Sequence, residues 1–130
     1  MHSLFIVDDE INVLNSLKNN INWQKVQCNV IGTASDGIKA WVDIKNKHPD
    51  IIMTDIVMPG IDGLDLIKRA RQEGISARFI VLSAYDEFKY AQRAINYGVT
   101  SYLLKPFDDD EIYETFYRVN KEIIKNQRVV

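Results

Sequence analysis

Four short stretches of the chain carry side chains able to do chemistry, and each follows a run of apolar, β-prone residues. Asp8-Asp9-Glu10 follow Leu4–Val7, Asp55 follows Ile51–Thr54, Ser83 follows Phe79–Leu82, and Lys105-Pro106 follow Tyr102–Leu104. A carboxylate is a competent covalent nucleophile. Paired carboxylates hold hard divalent cations through oxygen, and a lysine ammonium brings a compact positive charge. An acid after a strand is ordinarily a helix cap or a solvated turn residue. The four stretches are informative only if the fold delivers them to one place.

Five β-prone runs, Leu4–Val7, Asn29–Ala34, Ile51–Thr54, Arg78–Ser83 and Ser101–Leu104, alternate with segments of helical spacing. Ile11, Leu14, Leu17 and Ile21 share one helical face, as do Ile38, Trp41 and Ile44. Ile112, Phe116, Val119 and Ile123 do the same near the end, after a cap at Asp108. Asp36-Gly37 and Gly60–Gly63 punctuate helix starts, and Gly74 and Gly98 stand just past helical patterns, where a left-handed residue is favoured. Apolar strands separated by helices imply a parallel sheet covered on both faces. With right-handed crossovers the expected fold is a doubly wound three-layer α/β/α sandwich of five strands and five helices.

Ligands of open parallel sheets bind beyond the carboxyl ends of the strands, where the winding reverses. In the flavodoxin-like order 2-1-3-4-5 the first and third strands are neighbours, so Asp8, Asp9 and Asp55 converge there. Three carboxylates repel one another unless a cation sits among them. Mg²⁺ (or Mn²⁺) suits the place, because Mg²⁺ favours oxygen, keeps several waters and is commonly held by one or two carboxylates plus a phosphate. Lys105 supplies a second positive charge opposite. Rival phosphate machinery is absent: there is no G-x-x-x-x-G-K-[ST] loop and no G-x-G-x-x-G turn. Asp8-Asp9-Glu10 would repel a flavin phosphate, and a dehalogenase-type phosphatase would need an acid where Val57 stands. The cluster reads as built to accept a phosphoryl group through a metal.

Composition limits the alternatives. With 130 residues, 46% apolar and 10% aromatic, the chain suits one domain with one core. The net charge of −2 and pI near 5.6 leave no basic stripe for binding nucleic acid directly. The opening MHSLFIVDDE is not a signal peptide, and no apolar run approaches the ~18 residues of a membrane span. A soluble cytoplasmic protein with no membrane contact is expected. The single cysteine, Cys28, excludes an internal disulfide framework, suits a reducing compartment and reads as a small structural residue. His2 and His48 have no partners at zinc-ligand spacing and are assigned no chemistry.

Taken together, Ile6-Val7-Asp8-Asp9-Glu10, the run from Pro49 through Asp55 and Met58-Pro59-Gly60 to Gly63, Leu82-Ser83-Ala84 and Tyr102-Leu103-Leu104-Lys105-Pro106-Phe107 resemble the receiver domain of two-component response regulators. The resemblance covers the chain from about Leu4 to the last helix. It implies a signalling switch rather than a turnover enzyme, with Asp55 taking a phosphoryl group from a sensor histidine kinase in the presence of Mg²⁺. It implies Asp9 as a direct metal ligand, Asp8 acting mainly through water, and the Val57 backbone carbonyl completing the protein's share of the shell. By the same resemblance Ser83 bonds a phosphoryl oxygen, Lys105 pairs with Asp55 or its phosphate, Tyr102 is the switch aromatic, and the Lys105-Pro106 bond is cis.

Val57 and Tyr85 match the positions flanking the path of attacking water. An apolar and a bulky residue there are expected to make self-dephosphorylation slow. Ser83 to Ala91 resembles receivers that precede AraC-type helix-turn-helix domains, and the long Asn22–Val26 lead agrees. Residues 1–130 are thus expected to form a single receiver domain, with 121–130 ending the last helix and starting a linker to a C-terminal output domain absent from this chain. DNA would be touched only through that domain, and phosphorylation would promote a homodimer. The alternative is a stand-alone receiver that docks protein partners or relays phosphate.

Overall fold

The structure, a computed structural model, describes residues 1–84 and 88–128. In chain order its elements are β1 (His2–Val7), α1 (Ile11–Asn20), a 3₁₀ turn (Trp23–Val26), β2 (Cys28–Ala34), α2 (Gly37–Lys47), β3 (Ile51–Asp55), α3 (Gly63–Gln72), β4 (Arg78–Ala84), α4 (Phe88–Asn96), β5 (Ser101–Lys105) and α5 (Asp109–Arg128). The five strands form one parallel sheet in the order β2-β1-β3-β4-β5, the flavodoxin-like fold expected from the alternating pattern.

The two-residue period of the strands sorts the core into two layers. Phe5, Val7, Ile52, Phe79 and Val81 face α2, α3 and α4, where Ile44, Leu66, Ile67 and Ala94 meet them. Leu4, Ile6, Ile51, Met53, Ile80 and Leu82 face α1 and α5, where Leu14, Leu17, Ile112, Phe116 and Val119 meet them. Burying one such side chain contributes about 1.5–3 kcal/mol before chain entropy is counted. These layers hold the strand ends in register.

Three strands run one residue further than the apolar pattern predicts, and the extensions matter. Asp55 still pairs with Leu82, Ser83 with Leu104, and Ala84 with Lys105. The functional positions on β3, β4 and β5 therefore lie inside the ladder, where sheet hydrogen bonds fix their backbones. The helix signals also locate real termini. Asp36 caps α2 by accepting from the Lys39 N–H at 2.8 Å, and Asp108 caps α5 through the Glu111 N–H at 2.8 Å. Asp62 and Asp65 form a reciprocal capping box on α3. Gly74 and Gly98 have φ of +74° and +76° at the ends of α3 and α4.

Two expected core residues are outside. Ile11 is 54% exposed and Ile38 is 63% exposed. Each sits in the first turn of a helix that starts beyond the end of its strand, so little sheet lies beneath it. The buried stripe of α2 is Gly37, Ala40 and Ile44, with Trp41 only partly covered. The Asn22–Val26 lead became the 3₁₀ turn. Its Trp23 is buried against Phe116, with ring centroids 5.0 Å apart in an edge-to-face arrangement, and its indole N–H donates to the Leu17 carbonyl at 2.9 Å. Asn22 N–H donates to the Tyr113 hydroxyl at 3.0 Å, so the turn is latched to α5. Cys28 is buried, and burial pushes its thiol up to about 12, in keeping with a structural role.

Candidate functional site

The sheet brings the chain's acids and its strand-end lysine together at the carboxyl ends of β1, β3 and β5. Asp8 follows β1 directly; its N–H donates to the Ala34 carbonyl at 3.2 Å, and its Oδ1 accepts from the Glu10 N–H at 2.9 Å. Asp55 ends β3, with Thr54 Oγ1 donating to the Asp55 carbonyl at 2.9 Å. Lys105 ends β5, and its Nζ reaches Asp8 Oδ2 at 3.0 Å, Asp55 Oδ2 at 3.4 Å and Glu10 Oε1 at 3.7 Å. Asp8 is fully buried, Asp55 is 4% exposed and Asp9 is open to solvent. One carboxylate oxygen from each of Asp8, Asp9 and Asp55 lies within 4.8 Å of the others.

Charge does not balance in this cluster. Two unit charges about 4 Å apart interact by about 4 kcal/mol at an effective dielectric of about 20, and one ammonium faces several carboxylates. Burial, then the neighbouring Asp8, push the Asp55 carboxyl up to about 8, against the pull of Lys105. Burial also raises Asp8, opposed by the Glu10 N–H and by Lys105. Burial alone would lower Lys105, but the hydrogen bond to Asp8 and the charge of Asp55 outweigh it and raise the ammonium. The donor set is all oxygen, partly buried and short of positive charge, which fits a hard divalent cation such as Mg²⁺.

If a cation is held through the Asp55 carboxylate, a proton there must leave as it binds. Below pH ~8 the free site holds that proton, so Mg²⁺ affinity should rise with pH, by up to about tenfold per unit, and level off above. Calorimetric titration at about pH 6 and about pH 8, in buffers of different ionisation enthalpy, measures both affinity and proton release. An affinity indifferent to pH, with no proton released, would contradict this account of Asp55.

The other residues singled out by sequence fall around the cluster. Ser83 is buried on β4, and its hydroxyl makes no hydrogen bond among the described residues. The Lys105-Pro106 peptide is cis. Val57, two residues beyond Asp55, is 39% exposed, while Met58 behind it is buried. Tyr102 is 42% exposed on β5, well away from the acids in sequence but on the strand that ends in Lys105. Tyr85 lies outside the described residues, as do the side chains of Phe88, Tyr90 and Ala91. Sequence reasoning missed Thr54 and Glu10 as partners within the site. A β-branched hydroxyl before a strand-end acid gives no signal of its own, and Glu10 reads simply as the third member of an acidic run.

Among the described residues no helix is long and apolar enough to cross a membrane. Residues 4–117 match the response regulator receiver domain family. The chain is 39% identical over 123 residues to the uncharacterised transcriptional regulatory protein YesN of Bacillus subtilis, covering 95% of this chain and 33% of that protein. It is 34% identical over 127 residues to the transcriptional regulatory protein HptR of Staphylococcus aureus, covering 98% and 50%. It thus spans a third to a half of the length of these curated relatives. Among solved structures, the receiver (REC) domain of AraT, a response regulator from Geobacillus stearothermophilus, superposes with a TM-score of 0.90 at 34% identity, covering 97% of this chain and 98% of that one. Receiver domains of this kind are signalling modules phosphorylated by histidine kinases, and the family binds Mg²⁺ at an acidic pocket; here Asp8, Asp9 and Asp55 form a cluster able to hold a metal ion. By its sequence, its fold and its acidic site, the chain belongs to the response regulator receiver domain family.

Proposed function

We propose that this domain is a phosphorylation-activated switch in which Asp55 takes a phosphoryl group from a kinase phosphohistidine and so controls a transcriptional output domain. The observation that carries the reading is the convergence of Asp8, Asp9 and Asp55 around Lys105, which bridges Asp8 and Asp55. An Asp55 carboxylate oxygen forms the new bond to phosphorus as the phosphorus–nitrogen bond of the donor breaks, and the freed histidine takes up a proton. Phosphoryl transfer asks a protein mainly for alignment and charge neutralisation. Lys105 neutralises the developing charge from one side and Ser83 offers its hydroxyl to a phosphoryl oxygen. Asp9, Asp55 and the Val57 carbonyl would hold Mg²⁺, with Asp8 acting mainly through water, and the ion would supply charge neutralisation. Incubation with acetyl phosphate should add one acid-stable, base-labile phosphoryl group per chain in Mg²⁺, and none in a chelator. Equal uptake with the metal removed would overturn the reading.

The output is proposed to run through β5 and its flanking helices. A groove of about 620 Å³ there is lined by Ile95, Val99, Tyr102, Leu104, Glu111 and Arg118, among others, offering apolar surface and both signs of charge. As Ser83 is drawn to the phosphoryl oxygens, Tyr102 gains room to turn inward, and the altered face pairs two copies of the domain. Sedimentation with and without beryllofluoride should show a monomer becoming a dimer. A monomer in both states at high concentration would favour a domain that works by docking other proteins. The relatives named transcriptional regulators are two to three times longer than this chain, which supports an output domain beyond it. With Val57 and Tyr85 flanking the water path, self-dephosphorylation is proposed to be slow.

A further inference from the structure

The loop joining β3 to α3, residues 56–62, is held from two sides by glycine. At Gly63, the first residue of α3, an added Cβ would overlap the Asp55 carbonyl oxygen and lie 2.9 Å from Ile56 Cα. The Gly63 N–H also donates to the Ile56 carbonyl at 2.9 Å, closing the loop on itself. At Gly37, the first residue of α2, an added Cβ would overlap the Ile61 carbonyl oxygen and lie 2.7 Å from its carbon and 2.8 Å from Ile61 Cβ. At each glycine the nearest atom is a backbone carbonyl oxygen, which no rotamer change moves. Neither glycine is among those with positive φ, so each position calls for a bare α-carbon rather than for left-handed backbone.

The contacts form a chain. Gly37 touches Ile61, the next residue Asp62 caps α3, and Gly63 touches the peptide of Asp55 itself. Val57 lies inside the pinched segment. The start of α2 is in turn fixed by the Asp36 cap, with Lys39 and Ala40 donating to its side chain and carbonyl at 2.8 and 3.1 Å.

We infer that Gly37 is a positioning residue for the phosphorylation site: by seating Ile61 against α2 it sets where the 56–62 loop, and the Val57 carbonyl within it, stands relative to Asp55. The inference rests on the reading of Asp55 as acceptor with Mg²⁺ beside it. It makes α2, an element that contributes no side chain to the acidic cluster, an input to metal affinity.

Titrating Mg²⁺ into the parent, Gly37→Ala and Ile44→Val chains, well below their melting temperatures, tests this. Ile44 is a buried α2 residue outside the close approach of Gly37 to Ile61, so its truncation disturbs the same helix away from that approach. Gly37→Ala should weaken Mg²⁺ binding by roughly tenfold, as displaced support around a metal site commonly does, with Ile44→Val within about twofold of the parent. Parent-like affinity in Gly37→Ala, or an equal loss in Ile44→Val, would overturn the inference. Should Gly37→Ala not fold, amide exchange on the parent decides: Mg²⁺ should slow exchange at Lys39 and Ala40 as well as at Gly63, and unchanged rates at the two α2 amides would overturn it. A parent that binds no Mg²⁺ would instead sink the reading of the Asp55 site, and this proposal with it.

Discussion

Asp55→Asn should make the metal-free domain more stable, by about 1–3 kcal/mol near pH 7. The cause is the burial of Asp55 beside a second buried carboxylate, Asp8. Burial, followed by Asp8, pushes Asp55 up to about 8, whereas in the unfolded chain it titrates near the ordinary carboxylate value. Between about pH 4 and pH 8 the unfolded chain has released this proton and the folded chain has not. The folded state therefore loses stability as pH rises through that window. An asparagine has no proton to lose and leaves Lys105 paired with Asp8 at 3.0 Å and Glu10 at 3.7 Å. The gain should be small near pH 4, grow toward pH 8, and appear as a rise of several degrees in melting temperature. Saturating Mg²⁺ should erase it, because the cation stabilises only the parent. Thermal melts of both chains across that range, with and without metal, measure this. A variant that is less stable than the parent at pH 7 without metal would contradict the charge account.

The second large effect separates the two acids after β1. Asp9→Ala should weaken Mg²⁺ binding by roughly a hundredfold and Asp8→Ala by roughly tenfold. Asp9 is exposed and its carboxylate is not tied to Lys105. Asp8 is buried, with Oδ2 on Lys105 and Oδ1 on the Glu10 N–H, which favours contact with a cation mainly through water. Removing Asp8 also removes the second-largest cause of the raised Asp55 pKa. Asp55 then loses its proton more readily, which offsets part of the lost attraction for the cation. Calorimetric titration distinguishes the two; equal losses in both variants would refute this division of labour.

The fold was legible because each strand is a run of apolar residues too short for a helix and each gap has helical spacing. The site was legible because four polar groups sit at strand ends and the sheet order makes β1 and β3 neighbours. What was not legible depends on shape rather than type. Nothing in the pattern distinguishes Ile38, exposed at the start of α2, from Ile44, buried two turns later; the sheet's edge decides that. Trp23 belongs to no periodic stretch, and only the position of Phe116 on α5 explains its burial. The close approach of Gly37 to Ile61 joins residues 24 apart in sequence, and a glycine before a helix reads equally well as punctuation. The acidic cluster could be placed from sequence, but not the bridging of Asp8 and Asp55 by one lysine at 3.0 and 3.4 Å.

An Asp55 that carries the phosphoryl group can be recognised by locating that group in the chain. The parent and Asp55→Asn proteins would be incubated with acetyl phosphate and Mg²⁺, digested at acid pH to preserve an acyl phosphate, and mapped by peptide mass spectrometry. The parent should carry one phosphoryl group, confined to the peptide bearing Asp55, and the variant none. Undiminished labelling of Asp55→Asn, or a phosphoryl group on Asp8, Asp9 or Ser83 in the parent, would contradict it.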